Sequence, residues 1–299
     1  MGDQDSSKPE VKKPNVTADE IANFLERTGF VFEMRASEVF KKWGYATEIS
    51  EEFFDLEGNT YREIDIIATK IVNNINLHLV VECKQSQTEK WIFICNKQLG
   101  RYYYALKHLP HVATSAFREK KVFSGSHIFD SKVPLAHNYL CYTTANNKKS
   151  DHLHIDECVH KLPKALLDVA AKTEEGNRHL FFPVALFSGQ IFSATYHGKL
   201  VVEEKPFLQY YVRFQKAAYN QQPETKINLS IFPSLHEILG NTSEQRVRAL
   251  MGELSAHYHI DFVTEAGLPD YLTMIENEVG AVRTEYWDIP DAPKQETGI

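Results

Sequence analysis

Hydrophobic positions in the first half of the chain follow two periods in turn. Ile21, Phe24 and Leu25 recur at helical spacing behind Thr17-Ala18-Asp19-Glu20, which reads as a capping box. Phe32, Ala36, Val39 and Phe40 form a second helical stripe over residues 30–43. Gly29 interrupts the first helix, and Gly44 is placed to end the second. The pattern then becomes strand-like over residues 45–55, 63–71 and 77–85, with Gly58-Asn59 and Asn73-Asn74 as turn signals between them. Helical periodicity is expected again over residues 96–108, and residues 135–142 are a candidate fourth strand. The predicted order of this half is α-β-β-β-α-β.

In the second half, residues 153–171 read as a helix in spite of Pro163. Residues 180–187, 190–196, 200–202 and 208–214 read as strands, with Gly189 and Gly198 at the turns. A further strand is expected over 226–232, and helices over 243–256 and 271–276. Residues 1–16 are polar and predict a disordered N-terminus, and residues 286–299 a flexible, Pro- and charge-rich tail. No repeat and no shift of composition marks a boundary, so residues 146–285 are read as an α/β extension packed on the 17–145 unit.

The chemistry concentrates in Arg62-Glu63-Ile64-Asp65-Ile66-Ile67-Ala68 and Leu79-Val80-Val81-Glu82-Cys83-Lys84. Side chains on a strand alternate faces, so Glu82 and Lys84 share one, as do Glu63, Asp65 and Ile67. A hairpin about Asn73-Asn74 brings Asp65 and Glu82 together. Solvent-facing charges on a half-exposed strand would look similar. The apolar neighbours Ile64, Ile66, Leu79, Val80 and Val81 argue instead for covered strands, where a charge must be paired or bind metal. Two carboxylates and a backbone carbonyl, that of Cys83, are hard oxygen ligands suited to Mg²⁺ or Mn²⁺. Lys84 is placed to orient or help deprotonate a water, or to offset charge in a transition state. On the expected 96–108 helix, Lys97, Arg101, Tyr104 and His108 are spaced by 4, 3 and 4, a basic and aromatic face suited to phosphates and bases.

These residues resemble the PD-(D/E)xK nuclease superfamily, the fold of many restriction endonucleases and Holliday-junction resolvases. The resemblance is carried by Glu33 on the second helix, Asp65, and Glu82-Cys83-Lys84, together with the element order, over residues 18–145. It implies an α/β protein with a restriction endonuclease-like αβββαβ core and a mixed central sheet in 17–145, extended by further strands and helices. It implies that Asp65 and Glu82 bind the metal, that Lys84 assists the attacking water, and that Glu33 completes the metal shell or binds a second ion. The family's Pro before the first Asp is absent, and Ile64 stands there. The implied activity is Mg²⁺-dependent hydrolysis of DNA phosphodiester bonds, with Mn²⁺ as substitute, in prokaryotic (antiviral) defence or DNA processing. Alternatives on the same fold are an RNA-cleaving or ligand-activated effector nuclease and a catalytically silent nucleic-acid-binding or assembly subunit. A homodimer, or a protein partner conferring specificity, is consistent with either.

Composition qualifies this reading. The net charge of −7 and pI near 6.0 count against broad DNA binding and favour a confined basic groove or a partner. Cys83, Cys95, Cys141 and Cys158 form no CxxC pair, which predicts a reducing, cytoplasmic setting. No apolar run approaches membrane-spanning length, and the first 13 residues lack an apolar signal core. Asp55 is a rival metal ligand, but it sits beside a turn signal, where Asp is common. Gln85 lies on the strand face opposite Lys84, and Trp91 reads as core. His152-x-His154-x₃-Cys158-x-His160 fits no common zinc-finger spacing. Dinucleotide, P-loop, zincin and serine-hydrolase signatures are missing.

Overall fold

The computed structural model describes residues 16–26, 28–55, 60–101, 104–107, 122–124, 129–144, 148–149, 153–173, 178–213 and 257–281. Helix α1 (Ala18–Leu25) begins at the capping box, with the Thr17 hydroxyl accepting from Glu20 N–H and the Glu20 carboxylate accepting from Thr17 N–H. Helix α2 (Gly29–Lys42) buries Phe32, Ala36, Ser37 and Phe40, and the chain leaves it through Gly44 at φ 83°. Strands β1 (Ala46–Asp55), β2 (Thr60–Val72) and β3 (Ile75–Lys84) form an antiparallel meander. The β2–β3 turn is Asn73-Asn74, with φ of 49° and 61°; asparagine tolerates this left-handed pair better than most residues.

The chain continues through β4 (Glu89–Arg101), β5 (Tyr104–Lys107), β6 (Val122–Ser124), β7 (Phe129–Thr143) and β8 (Lys148–Lys149). Helix α3 (Leu153–Lys172) carries Pro163 within it. Then come β9 (Arg178–Phe187), β10 (Gln190–Tyr196), β11 (Leu200–Lys205), β12 (Phe207–Arg213), β13 (His257–Thr264) and helix α4 (Leu268–Gly280). All 13 described strands belong to one mixed sheet, ordered β1-β2-β3-β9-β13-β12-β7-β4-β10-β11, with β5, β6 and β8 as side pairings. The sheet is continuous across residue 145, because β9 pairs in parallel with β3 from Ile75↔Arg178 to Lys84↔Phe187.

Both faces of β3 and β9 are covered. Val80, Phe181, Ala185 and Phe187 point into one cluster with Ile155, Leu162 and Leu166 of α3, joined by Trp91 and Phe93 of β4. Leu79, Val81, Phe182, Val184 and Leu186 point the other way, against Phe32 and Phe40 of α2 and Tyr271, Leu272 and Ile275 of α4. Double coverage explains why residues 77–83 and 180–187 read as near-continuous apolar runs. Among the described residues no helix is long and apolar enough to cross a membrane.

One predicted element is overturned. Residues 96–108 do not form a helix: β4 runs to Arg101, and β5 spans Tyr104–Lys107. Trp91, Phe93 and Cys95 alternate inward along β4, and its pairing with the 15-residue β7 carries the strand onward through three register shifts. The strand over 135–142 exists within β7, but it lies between β4 and β12, and the place beside β3 belongs to β9. Strand β13 was not anticipated. The elements expected over 226–232 and 243–256, the turn at Gly58-Asn59, and the disordered ends at 1–15 and 286–299 lie outside the described residues.

Candidate active site at a fork in the sheet

The β2–β3 ladder runs from Val72↔Ile75 to Ile66↔Val81 and stops. The next pair in that register is Asp65 with Glu82. Here the Cys83 N–H donates to Asp65 Oδ2 at 2.6 Å, a side chain taking over from the ladder. Beyond this point β2 stays with β1 as far as Thr60↔Asp55, and β3 stays with β9 as far as Lys84↔Phe187. Across from Asp65, Ser50 of β1 has φ 59° and drops out of pairing between Ile49↔Ile66 and Glu51↔Ile64. The sheet therefore forks at the two acids. Lys161 of α3 reaches into the gap, and Glu33 of α2 is near enough for Asp65, Glu63 and Glu82 to act on its carboxyl.

Glu82 and Asp65 are buried, at 1% and 8% exposure. Lys161 Nζ lies 2.5 Å from Glu82 Oε2 and 3.4 Å from Asp65 Oδ1. Lys84 Nζ lies 3.0 Å from Glu82 Oε1 and 2.7 Å from Glu157 Oε2 of α3. Burial, followed by repulsion from Asp65, Glu63 and Glu82, pushes the half-buried Glu33 carboxyl up to about 7. Burial and then Asp65 raise Glu82 as well, against the pull of Lys161 and Lys84. For both lysines burial is the largest influence and opposes the charge, yet the carboxylates together outweigh it and raise them. Cys158 of α3 is fully buried beside these groups, and burial pushes its thiol well up.

Among the described residues no three His, Cys, Asp or Glu side chains stand ready to hold a metal ion. The ammonium of Lys161 takes the space between Asp65 and Glu82. The donor chemistry nonetheless fits a hard divalent cation. Asp65, Glu82 and Glu33 are oxygen donors, with Asp65 close enough to raise the proton affinity of both glutamates, and a cation relieves that repulsion.

The other predicted residues are placed as follows. Lys97, Arg101 and Tyr104 lie on two strands, so the single helical face expected for them and His108 does not exist; His108 is outside the described residues. Asp55 is fully buried and meets Arg62 Nε at 2.8 Å and Lys164 Nζ at 3.0 Å. Gln85 donates to the Glu26 carbonyl at 3.3 Å. Trp91 is core, stacked on Phe187 with centroids 3.8 Å apart. His154 Nδ1 contacts Glu89 at 2.9 Å, and Cys158 is buried in the core. A groove of about 820 Å³ runs along β1–β3 beside the end of α3. Its walls include Ile64, next to Asp65, and Ile67, but neither acid of the fork.

Lys161 and Glu157 were missed as site residues. The signal was present: Glu157, Lys161 and Lys164 are spaced by 4 and 3 on a predicted helix. In isolation such a stripe reads as a solvated face, and only the sheet beneath gives it partners. No known family model matches the chain, and no curated protein or solved structure matches it either.

Proposed function

We propose that this protein is a metal-dependent DNA endonuclease of the restriction endonuclease-like kind. The observation that carries the proposal is the meeting of Asp65, Glu82 and Lys84 where β2 and β3 part, with Glu33 alongside. The element order supports it. Setting aside residues 85–152 as an insertion, the chain reads α2-β1-β2-β3-α3-β9, an αβββαβ order with β9 parallel to β3. The helix and last strand of that core would then be α3 and β9 instead of the segments expected at 96–108 and 135–142.

In this reading Asp65 and Glu82 would hold Mg²⁺ or Mn²⁺, with Glu33 in support. The ion would supply Lewis-acid stabilisation of a phosphodiester and a water of lowered pKa. Lys84, ion-paired with Glu82 and Glu157, would orient the attacking water or offset the charge developing on phosphate. Catalysis rests on positioning and charge, with no covalent intermediate.

The test is incubation of plasmid, linear duplex, single-stranded DNA and RNA with Mg²⁺ or Mn²⁺, beside Lys84→Ala and Asp65→Asn. Metal-dependent DNA cleavage lost in both variants is expected. Cleavage unaffected by either substitution would reject the site, and cleavage of RNA alone would reassign the substrate.

A further inference from the structure

The fork holds more cationic chemistry than a single lysine motif requires. Glu82 is already bound through Oε1 by Lys84, yet its Oε2 is held 2.5 Å from Lys161, which also reaches Asp65 at 3.4 Å. The two ammonium groups are not anchored alike. The two side chains are almost equally exposed, 17% for Lys84, but Lys84 projects from a central strand and has a partner outside the two acids, the exposed Glu157 at 2.7 Å. Lys161 stands on the polar stripe of α3, its side chain 20% exposed, and both its ion-pair partners lie within the fork. Its four-carbon stem is flexible and its charge is strongly hydrated. The acids cannot yield in the same way: Asp65 is fastened by Cys83 N–H, and Glu82 is almost wholly enclosed.

We infer that Lys161 is a tethered counter-ion that fills the gap between Asp65 and Glu82 and gives it up to an arriving divalent cation. The inference rests on the proposed metal site and adds what that site must do to load. The empty fork would otherwise leave two buried carboxylates side by side, which is costly. A lysine on a tether neutralises them without sealing the site, and on leaving it finds water at the surface of α3. Cation binding is thereby made weaker and more selective, because the entering ion must outcompete a charge already in contact.

The experiment uses the full chain and Mn²⁺ alone, with free Mn²⁺ measured by electron paramagnetic resonance in the parent, Lys161→Met and Asp65→Asn. Removing the competitor is expected to tighten Mn²⁺ binding in Lys161→Met roughly tenfold, the scale of one charged hydrogen bond. Asp65→Asn is expected to lose it. Equal or weaker binding by Lys161→Met, with the parent still binding and Asp65→Asn not, would overturn the displacement. Binding by the parent no better than by Asp65→Asn would instead overturn the metal site itself.

A second measurement needs no variant and so does not depend on the folding of one. Acetylation of lysines in the parent by an amine-reactive anhydride is followed residue by residue by mass spectrometry. Labelling of Lys161 should rise several-fold when Mn²⁺ is added, while Lys84 stays protected. A Lys161 signal that is unchanged or falls would count against its release.

Discussion

Asp55 and Asp65 lie on adjacent strands beneath the same helix, and both are met by lysines of α3, yet they are held in opposite ways. Asp55 has two cations to one carboxylate, Arg62 at 2.8 Å and Lys164 at 3.0 Å. Asp65 belongs to a group in which Glu33, Asp65 and Glu82 share Lys161 and Lys84, and Lys84 is divided again with Glu157. A buried acid saturated with positive charge acts as a fastener. One that is short of it, to the point that a neighbouring glutamate keeps its proton up to about 7, would on the proposed reading receive a further cation. The distinction rests on the balance of charge, since both acids are buried and both are ion-paired.

The sharpest way to break this comparison is to substitute both acids and read both properties. Asp65→Asn should lower metal-dependent cleavage by roughly 10²–10³-fold, the scale of losing one transition-state electrostatic group. Asp55→Asn should leave the specific activity of the folded protein close to that of the parent. If the two variants lose cleavage equally, the contrast fails. In stability the order reverses. Asp55→Asn is expected to cost roughly 1–3 kcal/mol in denaturant unfolding, because it strips the carboxylate charge from two cations held at a buried position. Asp65→Asn should cost less, since it relieves repulsion with Glu82 and Glu33 and keeps an amide oxygen to accept from Cys83 N–H, while it loses the ion pair with Lys161. A larger loss at Asp65 than at Asp55 would contradict this.

The smallest effect lies elsewhere in the sheet and provides a control without any carboxylate. His78 is stacked on Phe181 and bonded to His179 at 2.9 Å. Burial, with His179 beside it, lowers His78 from 6.5 to about 4. The folded protein therefore keeps His78 neutral where the unfolded chain protonates it. Its contribution is complete above pH 6.5 and is lost as the pH falls toward 4. His78→Phe should flatten the dependence of Tm on pH over that window, and a slope equal to the parent's would show that His78 does not carry it.

Much of the first 85 residues was legible from the chain because its signals are local. The capping box and the Asn73-Asn74 turn act within a few residues, and the turn sets the register that joins the two acids; the strict alternation expected through Asp65 fails, because Ile64 and Ile66 enter opposite cores. What escaped depends on distant partners. Strand β13 places Asp261 in the interior, where Gln209 and Tyr271 satisfy it from two other elements, so its polar residue hides a buried strand. β4 begins with clear alternation at Trp91, Phe93 and Cys95 and loses it in the register shifts that follow, which is where a helical period was read. The basic face inferred from that helix fell with it. Lys161 was hidden in plain view on a stripe that resembles a wet surface until Glu82 is set beneath it.

The position of β9 carries a kinetic consequence. It pairs with residues 75–84 of β3 and 104–107 of β5, both of them earlier in the chain, and with 261–264 of β13 far later. Pairings that long close large loops before they return any contact energy, which slows folding. Until residues 257–264 are available, β9 presents an apolar and incompletely paired edge, Val184 to Phe187, to whatever strand it meets. Recovery of this protein from dilute denaturant should therefore be slow and strongly dependent on its own concentration, with aggregation as the competing outcome.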